Sequence, residues 1–261
     1  MHSLLFVPAK SKMLQKIPEL HADCFIIDLE DSIEDNEKSA SLEVVKKYLS
    51  VFDLDELQII VRVNKSNAEH EMAALAACKV GFMLPKVDRI SDYDFVRRYA
   101  ENRTIIALIE SPLGLINLDA IASADYITAL AFGAEDFTAS VGMTNQVELL
   151  QYQKSRLVTY AKAYGRKAYD TPSFALSDQG TFEKDVANAK ALGFDGKMAI
   201  SPKHLDYINQ MWADADIDTM LSIIQKYESE GKAVSVINGK VYEKMHIAHM
   251  KRIVKENGGH F

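Results

Sequence analysis

The chain predicts an α/β fold, a (β/α)8 TIM barrel with a short C-terminal helical extension or lid. Three observations predict it. Eight short apolar or β-branched runs recur between residues 3 and 201. Each run is followed by a polar turn and then by helical periodicity, which implies βαβ units and a parallel sheet. No glycine-rich dinucleotide turn follows the first run, as an open doubly wound sheet would favour, and eight units match a closed barrel.

The runs are "SLLFVP" (3–8), "CFIIDLE" (24–30), "LQIIVRVN" (57–64), "GFMLPKV" (81–87), "TIIALIE" (104–110), "YITALAFG" (126–133), "KAYDTP" (167–172) and "GKMAIS" (196–201). Helical periodicity lies around 11–20, 37–49, 67–77, 91–100, 113–122, 145–164, 180–192 and 202–211. After residue 212 the alternation stops. "ADADIDTMLSIIQKYESEGKA" reads as one amphipathic helix with Met220, Leu221, Ile224 and Tyr227 on one face and Gly231 as its C-cap. A short extended piece, "VSVING", and a final helix from about 243 follow. The expected division is a barrel over 1–212 and an extension over 213–261.

The composition bounds the function. Of the 261 residues, 48% are hydrophobic, enough for one sizeable core. No apolar run reaches the roughly 18 residues of a membrane span. The formal charge is −7 with scattered basic residues, so nucleic acid is not an expected partner. "MHSLLFVPAKSK" has no basic n-region or small-residue cleavage site and reads as a first strand rather than a signal peptide. Cys24 and Cys78 lie far apart in apolar segments and read as thiols of a reducing compartment. The expected location is the cytoplasm.

The ends of the runs carry the chemistry. They hold Pro8 with Lys10; Asp28, Glu30 and Asp31; Arg62 and Asn64; Lys86; Glu110; Glu135 and Asp136; Asp170; and Ser201 with Lys203. In a (β/α)8 barrel these C-terminal ends surround one mouth, where active sites lie. Glu110 and Asp136 close the fifth and sixth runs, neighbours in a barrel. Two carboxylates plus waters suit a hard oxygen-seeking ion such as Mg²⁺, which would act as Lewis acid and template. An ion pair with Arg62 or Lys86 is the open alternative. Arg62 is a cation within an apolar strand and needs a partner. Asp28, Glu30 or Asp31 could hold it, and its planar fork could grip a carboxylate or a developing oxyanion. Lys86 could form a Schiff base if desolvated, or an ordinary ion pair. His204 lies near the predicted mouth, and His246 and His249 have helical spacing, but neither carries a metal pattern.

Taken in order, "LLFVPA", "DLEDSI", "VRVN", "LPKV", "ALIES", "ALAFGAEDF", "AYDTP" and "LGFDGKMAISP" resemble the citrate lyase beta-subunit-like proteins of the HpcH/HpaI aldolase/citrate lyase superfamily. These are kin of malyl-CoA lyases and, more distantly, of metal-dependent 2-keto-acid aldolases. The likeness spans residues 3 to about 203. It implies a barrel that binds Mg²⁺, or Mn²⁺ in its place, through Glu110 and Asp136, with Arg62 catalytic. The acids of "DLED" read, beside Arg62, as the residues that orient the arginine and the metal waters, with Asp31 a catalytic candidate and Glu30 a substrate-binding one. The implied reaction is reversible cleavage of a β-hydroxyacyl thioester such as citryl-, malyl- or citramalyl-CoA into an acetyl-type thioester and a 2-oxo acid.

Three departures bear on the thioester. Relatives read FVPG followed by Asn/Ser-Arg where this chain has "FVPAKSK", which puts Lys10 and Lys12 forward as phosphate contacts. They read IHP where this chain has "AISP", with Ser201. A lid motif like "DGKMVD", whose last Asp reaches a neighbouring subunit's site, corresponds here to "NGKVYE", so Glu243 takes the place of the acid or base. It could equally be a first-turn helix acid. The resemblance also implies a homotrimer or hexamer. Two further readings stay open: an aldolase of free 2-oxo acids without a thioester, and a subunit acting on substrate bound to an acyl carrier protein.

Overall fold

The computed structural model describes residues 1–51, 56–144, 146–213, 217–256 and 258. Eight parallel strands close in sequence order into a barrel. They are β1 (Ser3–Pro8), β2 (Cys24–Asp28), β3 (Ile59–Arg62), β4 (Gly81–Leu84), β5 (Ile105–Ile109), β6 (Ala129–Phe132), β7 (Lys167–Asp170) and β8 (Gly196–Ala199). The last strand pairs with the first, Ser3 opposite Lys197 and Leu5 opposite Ala199. Every residue of β2 to β6 is buried, because helices cover the outside while side chains fill the inside.

The outer layer contains α1 (Lys38–Leu49), α2 (Ala68–Ala74), α3 (Pro112–Ile116), α4 (Leu118–Ser123), α5 (Ala134–Val141), α6 (Gln151–Ala163), α7 (Gln179–Leu192) and α8 (Leu205–Ala213). Tighter 3₁₀ segments at Lys12–Glu19 and Ile90–Arg98 replace the helices expected there. Pro18 sits inside the first of these and Tyr93 breaks the second with a non-helical backbone, so neither can run on as an α-helix. The helix expected at 113–122 is two pieces meeting at Asn117. The first residue of the stretch expected at 145–164 lies outside the described residues; the remainder forms a 3₁₀ turn and α6.

Side-chain alternation sets what lies inside. Leu4, Ile26, Ile60, Met83, Ile106, Leu108, Ala129, Ala131, Tyr169 and Met198 form the buried interior. Stepping two residues up each strand from that floor leads to Asp28, Arg62, Glu110 and Gly133 at the mouth. The same parity sends Asp170, next to the inward Tyr169, to the outer face of β7.

The chain divides into two compact units, Met1–Met211 and Trp212–Phe261. The second has its own small core of Ile223, Ile224, Ile237, Ile247 and Val254. It consists of α9 (Ile217–Glu230), a hairpin of β9 (Val234–Ile237) and β10 (Lys240–Glu243), and α10 (Lys244–Glu256). Residues 214–216, which the sequence assigns to the start of α9, lie outside the described residues. The hairpin turns on Asn238 and Gly239, with φ of 52° and 76°. Asn-Gly is the pair that tolerates this left-handed turn best. Among the described residues no helix is long and apolar enough to cross a membrane.

Candidate active site at the barrel mouth

The mouth holds a cavity of about 470 Å³. Its polar wall includes Asp28, Asp31, Arg62, Glu110, Glu135 and Asp136, and its apolar wall Phe6, Leu108, Phe174, Met198 and Ile200. A second cavity of about 360 Å³ meets it at Glu110 and Asp136, and is lined also by Lys65, Lys86, Asp88 and Ser111.

Arg62 is the hub. Asp28 lies opposite it in the β2–β3 register. The guanidinium donates from Nε to Asp28 Oδ1 at 2.7 Å and from Nη2 to Asp28 Oδ2 at 2.8 Å. This is the bidentate geometry that matches a carboxylate best. Nη1 donates to Asp31 Oδ2 at 3.0 Å and faces Glu30 Oε2 at 3.3 Å. The Phe6 ring lies 5.1 Å from the guanidinium carbon. Burial pulls the Arg62 pKa down, but Asp28, with Glu30 and Asp31, outweighs it and holds the group above its ordinary value. Burial likewise pushes Asp28 up, and the Arg62 hydrogen bonds carry it below the usual carboxylate range. Asp28 is itself fixed by the backbone N–H groups of Glu30 and Ser32. One Nη2 proton remains for a substrate oxygen.

Lys86 is an ion-pair residue. Its ammonium lies 3.1 Å from Glu30, 3.4 Å from Asp31 and 3.8 Å from Asp136. Burial lowers its pKa, and Glu30, Asp31 and Asp136 together more than reverse the effect, so it stays protonated. That removes the nucleophilic amine a Schiff base needs. Its backbone is the less expected feature. Lys86 has φ of 48°, uncommon for a residue with a side chain. This turns its N–H onto Glu110 Oε1 at 2.7 Å.

Glu110 is buried just past β5. Burial first, and the nearby Glu30 carboxylate second, push its pKa up to about 8. Gly133 lets it sit there. A Cβ on Gly133 would lie 2.6 Å from Glu110 Oε2 and 2.7 Å from Glu110 Cβ. Asp136 does not close β6 as the sequence suggests. Gly133 caps α5, and Glu135 and Asp136 occupy its first turn, where acids complement the helix dipole.

These residues fit a hard cation through their chemistry: a buried oxygen donor short of positive charge, oriented by a backbone amide, beside a half-exposed Asp136. Among the described residues no group of three or more His, Cys, Asp or Glu side chains forms a metal cluster. Two carboxylates with water or substrate completing the coordination suit Mg²⁺ better than a closed cage.

The other candidates are placed elsewhere. Lys10 pairs with Glu37 at 2.6 Å. Ser201 caps a short turn, its hydroxyl accepting from Lys203 N. The cavity wall on their side is made by Pro8, Ser11 and Ile200 instead. Glu243 ends β10 in the second unit, not the first turn of a helix, and its N–H donates to His246 Nδ1. His249 lies beside Arg252. His204 stacks on Phe182 with centroids 4.0 Å apart, a packing role. Asp170, read from the sequence as a mouth residue, is buried on the outer face of β7 with Lys154 and Lys197. The site also includes Thr171, which lines the mouth and accepts from Ala134 N at 3.2 Å. "AYDTP" carries both residues; only strand parity separates them.

Residues 2–202 match the HpcH/HpaI aldolase/citrate lyase family model. The chain belongs to that family. The match covers all eight barrel strands, and the chain is an enzyme of the carbon–carbon lyase class. Relatives include a rat (Rattus norvegicus) mitochondrial citramalyl-CoA lyase, 25% identical over 97% of this chain and 84% of that protein. A (3S)-malyl-CoA thioesterase from Cereibacter sphaeroides is 28% identical over 94% of this chain and 90% of that protein. Among solved structures, the citrate lyase beta subunit of M. tuberculosis complexed with oxaloacetate and magnesium is 26% identical. It has a TM-score of 0.69, covering 80% of this chain and 96% of that one.

Proposed function

We propose that this family member is a Mg²⁺-dependent lyase that cleaves or forms a β-hydroxyacyl-CoA thioester, with a 2-oxo acid as one product. The observation that carries this is the meeting of Glu110 and Asp136 beside a charged, buried Arg62 at the C-terminal mouth of the barrel. Relatives named for citramalyl-CoA and malyl-CoA chemistry support the thioester, and the oxaloacetate and magnesium complex supports the ion and the 2-oxo acid.

Glu110 and Asp136 would hold the ion. Bound there, Mg²⁺ supplies Lewis acidity and a template for neighbouring carboxylate and carbonyl oxygens. Arg62, fixed by Asp28, Asp31 and Glu30, turns its remaining Nη2 proton to the oxygen that gains negative charge as the carbon–carbon bond breaks. Holding the fork rigid before reaction avoids reorganisation during it. Asp31 and Glu30 orient Arg62 and tie Lys86 to the same wall. The apolar wall of Phe6, Leu108, Met198 and Ile200 keeps water from the acyl half. Glu243 is assigned the acid or base role toward a neighbouring copy.

Turnover of citramalyl-, malyl- and citryl-CoA, assayed beside free 4-hydroxy-2-oxo acids, tests the reading. Release of a 2-oxo acid from at least one CoA ester, abolished by EDTA and restored by Mg²⁺, is expected. Activity confined to free hydroxy-oxo acids overturns the thioester assignment. Hydrolysis of the thioester with the carbon skeleton intact overturns the lyase step.

A further inference from the structure

Four charged side chains lie buried outside the barrel interior, where the reaction does not reach. Asp170 and Lys197 face each other across β7 and β8 in register. Lys154 of α6 and Asp185 of α7 close over them. All four are at most 4% exposed. Lys197 Nζ lies 2.7 Å from Asp170 Oδ2 and 2.9 Å from Asp185 Oδ2. Lys154 Nζ lies 3.0 Å from Asp170 Oδ1 and 3.6 Å from Asp185 Oδ1. Two lysines and two aspartates make the cluster neutral.

Stability alone is a weak reason for such a cluster. Well-packed apolar residues of similar volume often serve a fold as well or better. What distinguishes this one is its contact outside the four charges. The third Lys197 proton goes to the Thr171 carbonyl at 2.7 Å. Thr171 Oγ1 in turn accepts the Ala134 N–H at 3.2 Å, the first amide of α5. Asp136 lies two residues further, in the same turn. On its other side that turn is held against β5, where Gly133 N–H donates to the Ile109 carbonyl at 3.0 Å.

We propose that the buried cluster of Lys154, Asp170, Lys197 and Asp185 is a positioning device, acting through Thr171, that fixes the first turn of α5 and so the direction of Asp136. None of these residues touches the reacting atoms. The assignment rests on the metal reading above. It gives the chain a reason to keep four charges buried beside a strand end: the ammonium reaches one specific carbonyl, which a methylene chain cannot grip. Residues that orient metal ligands commonly change affinity about ten- to a hundredfold when altered. A single net hydrogen bond removed at Thr171 corresponds to about fivefold.

The test is Mn²⁺ binding to the purified protein, read by the loss of free-ion electron paramagnetic resonance signal. Thr171→Val removes the acceptor and keeps the shape, while Thr171→Ser keeps the acceptor. Lys197→Met combined with Asp170→Asn empties half the cluster and leaves it neutral, so no unpaired charge is stranded. Thr171→Val is expected to weaken Mn²⁺ about fivefold, Thr171→Ser to restore wild-type affinity, and the neutral double variant to weaken it at least as much. The triple combination should add little to either, because both act along one path. Wild-type affinity in Thr171→Val, with binding lost in Glu110→Gln, overturns the positioning role and leaves the metal site standing. Wild-type affinity in Glu110→Gln as well overturns both. Wild-type affinity in the folded double variant overturns the part played by the cluster; should that variant fail to fold, Lys197→Gln with Asp170→Asn, which is also neutral and too short to reach the Thr171 carbonyl, is read in its place.

Discussion

Arg62 shows how one side chain is made specific by its surroundings. Its Nε and Nη2 bind Asp28 in a fork, so a point charge cannot replace it. Arg62→Lys is expected to cut kcat by about 10²–10³, the range for losing a preorganised donor, while Mg²⁺ affinity changes little. Equal loss of turnover and metal binding, measured by steady-state kinetics and titration, would make the residue structural. Glu71 shows the cost of a buried acid elsewhere in the barrel. It is 1% exposed, and its Oε2 accepts Asn64 N–H at 2.8 Å. Burial outweighs that hydrogen bond and pushes its pKa from 4.5 up to about 7. The folded state therefore keeps a proton that the unfolded chain gives up above 4.5. Its contribution to stability is whole below that value and is lost as pH rises through about 7. Glu71→Gln should flatten the fall in Tm between about pH 5 and pH 8. Parallel Tm profiles for the two proteins would contradict this.

At the scale of elements, the β5 and β6 ends work as a pair. Gly133 has an ordinary backbone conformation, φ −102°, so its freedom is not what matters. Space is: a methyl group there collides with both the carboxylate and the stem of Glu110, so turning the carboxylate aside does not relieve the clash. Gly133→Ala should lower stability by about 1–3 kcal/mol through overpacking and weaken Mg²⁺ binding by displacing Glu110. Urea unfolding and metal titration check both effects, and a variant indistinguishable from wild type in both would contradict the packing argument. The loop after β4 works on the same carboxylate from the other side. Its left-handed Lys86 turns an amide toward Glu110 while its ammonium holds Glu30. Backbone held this way persists only where surrounding contacts over-determine it.

Over the whole molecule, the barrel was legible because its strands are short, apolar and punctuated by polar turns. Their charged ends were legible for the same reason, since an apolar run ending in Arg62 or Glu110 marks where a strand leaves the core. The face each residue takes was not legible. Strands buried on both sides lose the alternation that reveals parity, so Asp170 looked like a mouth residue and is an outer one. Asp136 was misplaced by one element, because nothing in "FGAED" shows whether the glycine ends a strand or caps a helix. The left-handed turn at Lys86 gave no signal either, as lysine is not a residue that asks for it. The central claim is that Glu110 and Asp136 together hold a divalent ion that presents a 2-oxo acid to Arg62. Isothermal titration of pyruvate, glyoxylate and oxaloacetate, with and without Mg²⁺, into wild type, Glu110→Gln and Asp136→Asn tests it most directly. Wild type should bind at least one of these acids only when Mg²⁺ is present, and both variants should lose that binding. Equal binding without Mg²⁺, or by either variant, would contradict it.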